Sequence, residues 1–303
     1  MRRIAVLAVA ASAAALLLAS CAPTGSSGPK PTVRVGSANF SEAVILGEVY
    51  AQVLEANGYT VERRLNLGNR EIIAPALETS QIDLYPEYLA TYLTFLTKDA
   101  SKASTDAGAT YRTLQDTLKP KNITVLDYAS AVNTNVFVIT KARSDRDNIK
   151  KVSDLARFND QLVLGGPPTC PERPFCLIGL QDKYGIKLKE FKPLDTGGPL
   201  TVAALEANQI DVALLFATNA QIPVKSFVVL EDDKKLQLAD NVAPVVRNDL
   251  LDKAGSDFKP LLNGVSAKLT TEELTGLNRA VDVDRKDPKD AARDWLKAKQ
   301  LVK

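Results

Sequence analysis

Ala76-Leu77-Glu78-Thr79-Ser80-Gln81-Ile82-Asp83-Leu84 returns later in the chain as Ala204-Leu205-Glu206-Ala207-Asn208-Gln209-Ile210-Asp211-Val212. Each copy reads as the end of a helix, a tight turn, and a short apolar strand with Asp near its start. One such match could arise by chance. The reading that accounts for both copies is a pair of lobes of like architecture, each using this unit to enter its central sheet.

Outward from the first copy, strand and helix signals alternate. Thr32-Val33-Arg34-Val35-Gly36 alternates and breaks at glycine, as a strand does. Ser41 to Asn57 places Val44, Ile45, Val49 and Leu54 on one helical face, with Ser41 as the expected N-cap and Gly58 as the residue past the end. Tyr59–Arg63 and Ile82–Tyr85 are expected strands, with a helix over Glu71–Thr79 between them. This alternation predicts an α/β fold, each lobe a mostly parallel sheet flanked by helices.

Around the second copy, strands are expected at Phe137–Thr140, Leu162–Gly166, Glu190–Leu194, Val212–Phe216, Phe227–Leu230 and Val242–Val246, with a helix over Pro199–Ala207. Pro193 confines its strand to an edge or to the strand's end. Past Val246 the pattern turns helical: Thr270–Glu273 fits a capping box, and Asp287-Pro288 an N-cap followed by Pro. These helices are expected to return to the first lobe. The division is then 32–136 with 237–303 as lobe I and 137–236 as lobe II, with chain crossings near 133–137 and 236–242.

The first residues carry an address. Arg2 and Arg3 precede an uncharged apolar run, Ile4 to Leu18, and then Leu18-Ala19-Ser20-Cys21. That is the layout of a secretory signal over 1–20. The run is shorter than the ~20 residues a bilayer span needs. Cys21 directly after Leu-Ala-Ser resembles a bacterial lipobox, which implies a lipid anchor on Cys21 and an extracytoplasmic location at the outer face of the cell membrane; the alternative is an ordinary signal peptide with a chance cysteine. Residues 21–31 are rich in Gly, Ser, Pro and Ala and read as a flexible tether.

Composition excludes several classes. The formal charge is +2, and losing Arg2 and Arg3 cancels it, so nucleic acid is not an expected partner. The chain has no histidine, which removes Ser-His-Asp and Cys-His nucleophilic schemes and the commonest metal ligand. No metal or cofactor is expected. Cys170 and Cys176 are the cysteines beyond Cys21. Outside the cytoplasm they are expected to form a disulfide that pins Pro171–Phe175, with two free thiols as the alternative.

In open α/β sheets ligands sit beyond the carboxyl ends of strands. That directs attention to the loops at 36–41, 68–70, 85–91, 165–173, 195–198 and 216–219. Several stretches in and around them are distinctive: Val35–Glu42, Ile45–Tyr50, Ile82–Tyr88, Lys192–Asp195, Gly197–Leu200, Leu214–Asn219 and Val229–Asp233. Together they resemble the osmoprotectant substrate-binding proteins, the glycine betaine/choline/carnitine receptors of ABC importers, across about residues 32–300.

The resemblance implies a two-lobed type II periplasmic-binding fold that captures a solute in the interlobe cleft. It implies partnership with permease and ATPase subunits, a monomeric receptor, and no enzymatic activity. The rivals are a receptor of the same fold for a different, less cationic or aromatic solute, an enzyme without histidine on the same scaffold, and a sensory receptor. Family members box a quaternary ammonium in aromatic rings. Tyr88 matches a cage tyrosine, Thr91 an expected hydroxyl contact, Arg173 an anion-binding arginine, and Phe216 the last cage position. Other cage positions fall at Val136 and Val202, so the tyrosine box is incomplete. Asn39, Ser41, Asn69, Asn135 and Thr218 are added as candidate ligand contacts from their loop positions.

Overall fold

The computed structural model describes residues 30–303. The signal segment, Cys21 and most of the tether lie outside them. Two five-stranded sheets organise the rest. The first is built from β1 (Thr32–Ala38), β2 (Thr60–Gly68), β3 (Leu84–Tyr88) and β4 (Ile123–Val125). The second holds β5 (Asn135–Ile139), β6 (Val163–Gly166), β7 (Glu190–Pro193), β8 (Val212–Phe216) and β9 (Val228–Val229). The chain then returns, and β10 (Val242–Arg247) completes the first sheet.

The strand orders are β2-β1-β3-β10-β4 and β7-β6-β8-β5-β9. They superimpose term by term. In each, the first three strands are parallel and the fourth is antiparallel to its neighbours. The sheets are therefore mixed. The antiparallel strand in each is the one that arrives directly from the other lobe, so no helix returns it to the starting edge, as parallel pairing requires.

The repeated segment earns its repetition at atomic level. Asp83 Oδ2 accepts from the backbone N–H of Arg34 at 2.9 Å, while the N–H of Asp83 donates to Arg34 O at 2.8 Å. Asp211 does the same to Val163, at 2.8 Å in both directions. Each Asp also takes a guanidinium, from Arg34 or from Arg143. The aspartate thus clamps its strand to the first parallel neighbour. A glycine answers each isoleucine: a Cβ on Gly36 would lie 2.6 Å from Ile82 Cδ1, and one on Gly165 2.6 Å from Ile210 Cδ1. The turns before the clamps use left-handed residues, Ser80 (φ 64°) and Asn208 (φ 54°).

Local expectations shift in places. The helix over Ser41–Ala56 begins at Ser41 itself, with Phe40 in the cap position. Ser41 is therefore not the N-cap but the first residue of the helix. The third strand starts at Leu84 rather than Ile82, because both backbone and side chain of Asp83 are spent on Arg34. β7 ends at Pro193 on a sheet edge. Thr270 Oγ1 caps the N–H of Glu273, but the Glu273 carboxylate turns away to the Trp295 Nε1–H (2.7 Å) and to Lys299. Only half of the capping box forms.

The helix Ser41–Ala56 is the spine of the first core. Leu46, Val49, Tyr50 and Leu54 are fully buried and share one cluster with Ala291, Trp295 and Leu296 of the last helix, Pro288–Ala298. The two chain crossings run side by side. Val132 and Asn241 pair in antiparallel register, the N–H of Asn133 donates to Asp240 O, and that of Val242 to Ala131 O.

Candidate functional site

A cavity of about 430 Å³ opens between the two sheets. Its walls come from the loop after β1, the end of β3 and the helix that follows it, the end of β8, and the loop closed by the Cys170–Cys176 disulfide. Three rings form one side. Phe40 stands between Tyr88 of the first lobe (centroids 6.2 Å apart) and Phe216 of the second (5.4 Å). Tyr88 is nearly buried and Phe216 half-buried, and all three line the cavity. Phe40 was not among the candidate site residues, although it lies between two that were, Asn39 and Ser41.

Opposite charges occupy another wall. Arg70 grips Glu87 through two hydrogen bonds, 2.7 and 2.8 Å, and donates a third to Thr91 Oγ1 at 2.8 Å. Burial works against the Arg70 charge, but Glu87 outweighs it and the guanidinium holds its proton more tightly than usual. Thr91 in turn serves Asp240: its N–H donates to Asp240 Oδ1 at 2.9 Å and its hydroxyl at 3.2 Å. Burial pushes the Asp240 carboxyl up to about 6, against the pull of Thr91 and Arg70. Asp240 has no salt-bridge partner among the described residues, whereas Arg70 has Glu87. The unmatched charge on this wall is negative.

Arg173 lies inside the disulfide loop. Its Nη2 donates to Glu71 Oε1 at 2.7 Å, from the second lobe across to the first. Burial and the nearby Arg70 both lower its hold on its proton. The loop is fastened to the crossings through one atom, Phe175 O, which accepts from Asn135 Nδ2 at 3.1 Å and from Gln237 Nε2 at 3.0 Å. Asn135 therefore lines the cavity while also tethering the loop. Asn69 precedes the helix Arg70–Glu78 and lines the cavity; its buried Oδ1 has no hydrogen-bond partner.

Beyond Phe40 and Phe216 lies a second cavity, of about 390 Å³. Asn39 lines both spaces, Ser41 and Thr218 only this one. Between the two sits Glu42, buried and enclosed by four donors. Oε1 accepts from Tyr88 Oη (2.5 Å) and Asn133 Nδ2 (2.7 Å); Oε2 accepts from Thr218 Oγ1 (2.5 Å) and Asn278 Nδ2 (2.6 Å). Burial pushes the Glu42 carboxyl up while those four bonds pull it down, with burial prevailing. Sequence reasoning missed Glu42, Arg70, Glu87 and Asp240. Their partners are far away in the chain, and no local pattern announces them.

The structure thus brings Asn39, Asn69, Tyr88, Thr91, Asn135, Arg173 and Phe216 to one cavity and leaves Ser41 and Thr218 behind its aromatic wall. Among the described residues no group of three or more side chains is placed to hold a metal ion. The arrangement suits capture of a polar solute: rings for a cation's face, an unmatched acid, and two arginines within electrostatic reach of each other.

Known proteins agree with that geometry. The glycine betaine-binding protein YehZ of Escherichia coli K12 is 26% identical over 280 residues, covering 89% of this chain and 92% of that protein. The carnitine transport binding protein OpuCC of Listeria monocytogenes is 28% identical over 286 residues, covering 93% and 91%. A solved structure described as a glycine betaine/carnitine/choline ABC transporter superimposes with a TM-score of 0.71 at 26% identity, over 90% of this chain and 99% of that one. The profile of the family described as the substrate binding domain of ABC-type glycine betaine transport systems matches residues 31–298, and the chain belongs to that family.

Proposed function

We propose that this protein is the extracytoplasmic receptor of an ABC importer, lipid-anchored through Cys21, and that its lobes close on a cationic or zwitterionic solute of the betaine type. The observation that carries the reading is the wall of Phe40, Tyr88 and Phe216, drawn from both lobes, facing a cavity that the Asp240 carboxyl lines without a salt-bridge partner among the described residues. A quaternary ammonium is attracted to ring faces by roughly 0.5–2 kcal/mol per contact when desolvated. A carboxylate on the same solute would lie toward Arg173. A micromolar affinity needs about −8 kcal/mol, within reach of such contacts if the lobes close dry. The lobes are 32–136 with 237–303, and 137–236. Because a solute shifts closure only if it grips both lobes, the rings on either side of the cleft are the relevant pair.

Val136 and Val202, where the family resemblance placed further cage positions, do not line the cavity: Val202 lies in a core cluster of the second lobe and Val136 packs against it. A thermal-shift panel of choline, glycine betaine, carnitine and ergothioneine tests the reading. At least one cation should raise the melting temperature. Stabilisation by neutral or anionic solutes alone would overturn it.

A further inference from the structure

Glu42 does work that the solute site does not explain. It lies in the first turn of the helix Ser41–Ala56, and its side chain is closed off from the main cavity behind Phe40 and Tyr88. Its donors come from four separate stretches of chain. Tyr88 ends β3 of the first lobe. Asn133 lies in the first crossing. Thr218 follows β8 of the second lobe. Asn278 belongs to the helix Thr271–Asp282. Four donors match the acceptor capacity of one carboxylate. Every one is neutral, so the contact is not an ion pair.

The web closes on itself. The N–H of Thr218 donates to Asn133 Oδ1 at 3.2 Å, and Asn278 Nδ2 reaches both Thr218 O and Thr218 Oγ1 at 3.1 Å. Thr218 is wholly buried by this contact. It stands two residues after Phe216, and Tyr88 is held through its own hydroxyl. One carboxylate therefore fixes a ring of the first lobe and the strand end that carries a ring of the second. Isolated on either lobe, Glu42 or Thr218 would face water. Satisfied together in a buried place, they favour the closed arrangement, because separating them leaves several polar groups to be rehydrated at once.

We propose that Glu42 is a positioning residue that latches the two lobes together without any solute and sets the spacing of the ring wall. The inference shares the two-lobed frame of the proposed function but not its solute, and it is tested with no solute present. Thr218→Val keeps the shape and removes the hydroxyl. Glu42→Gln keeps the shape and replaces one acceptor oxygen with a donor that faces donors.

In unliganded protein, small-angle scattering should show a larger radius of gyration for both variants than for wild type. Amide exchange in the 216–219 segment should speed up by about tenfold or more, as it does for locally opened structure. The midpoint of urea unfolding of each lobe's core should change little for Thr218→Val. A scattering curve and exchange pattern for Thr218→Val that coincide with wild type would overturn the latch. So would equal compactness with a lowered unfolding midpoint, which marks an ordinary packing role. Loss of the betaine reading alone would leave these measurements unaffected.

Discussion

The two helix–turn–strand units share a frame and part company at its end. Both clamp a strand with an aspartate, both seat an isoleucine over a glycine, and both turn through a left-handed residue. Past the clamp, β3 runs into Pro86-Glu87-Tyr88 and collects buried charge from Arg70 and Asp240. β8 runs into Phe216-Ala217-Thr218 and brings a bare ring and a hydroxyl. The scaffold is repeated because sheet geometry demands the same solution twice. Chemistry is not repeated, because a solute held by two unlike walls is bound in one orientation.

The clamps themselves give the largest expected effect. The Asp83 side chain is 6% exposed, that of Asp211 27%. Asp83→Ala takes the acceptor from the Arg34 N–H and from its part-exposed guanidinium and should cost about 2–3 kcal/mol. At Asp211 water replaces part of what is lost, and alanine should cost about 1–2 kcal/mol. Equal losses in urea titrations would erase burial as the distinction between the lobes.

The glycines should behave alike. Gly36→Ala and Gly165→Ala each press a methyl against a buried isoleucine that must shift to admit it. Overpacking of this kind costs about 1–3 kcal/mol. A cost confined to one of the two would show that the second lobe's core relaxes where the first does not.

The rings should not behave alike. Phe216→Ala removes a face and should weaken a cationic solute by roughly 0.5–2 kcal/mol. Tyr88→Ala removes a face and also the hydroxyl that meets Glu42, so its loss should be the greater. Calorimetric titration decides the order, and Tyr88→Phe separates face from hydroxyl.

The smallest effect is one of acidity, and it belongs to the first lobe. The Asp240 carboxyl is raised to about 6, mainly by burial. A raised carboxyl contributes stability when protonated: unliganded protein should gain from Asp240 as pH falls from 7 toward 4 and lose that gain as pH rises through about 6. Cation affinity should move the other way, falling below pH 6 by up to about tenfold, the equivalent of one unit of pKa coupling. Asp240→Asn should flatten both trends. Persistence of the affinity trend in that variant would move the titration elsewhere.

Much of the frame was legible in the sequence because its rules are local. A glycine break, an aspartate at a strand start and Asp-Pro before a helix can each be read within a few residues. Pro193 marked an edge because a missing N–H is a property of that residue alone. The walls of the site were only half legible. Tyr88 and Phe216 close their strands and Arg173 stands in a loop after one, where ligands are expected. Arg70 meets Glu87 and Asp240 only after the sheet is assembled, and Glu42 meets Asn278 across most of the chain. Phe40 and Ser41 misled for a simpler reason: a polar–aromatic–polar run before a helix reads as capping, and the cap falls on the aromatic residue.

The paired crossings lead with almost no slack into the fourth strand of each sheet, Asn133 to β5 and Asn241 to β10. A slight bend there cannot be absorbed by a loop; it swings a whole sheet, as an axle turns the wheel fixed to it. Motion at the base of the cleft is thereby magnified at its mouth, where Arg173 and Glu71 meet.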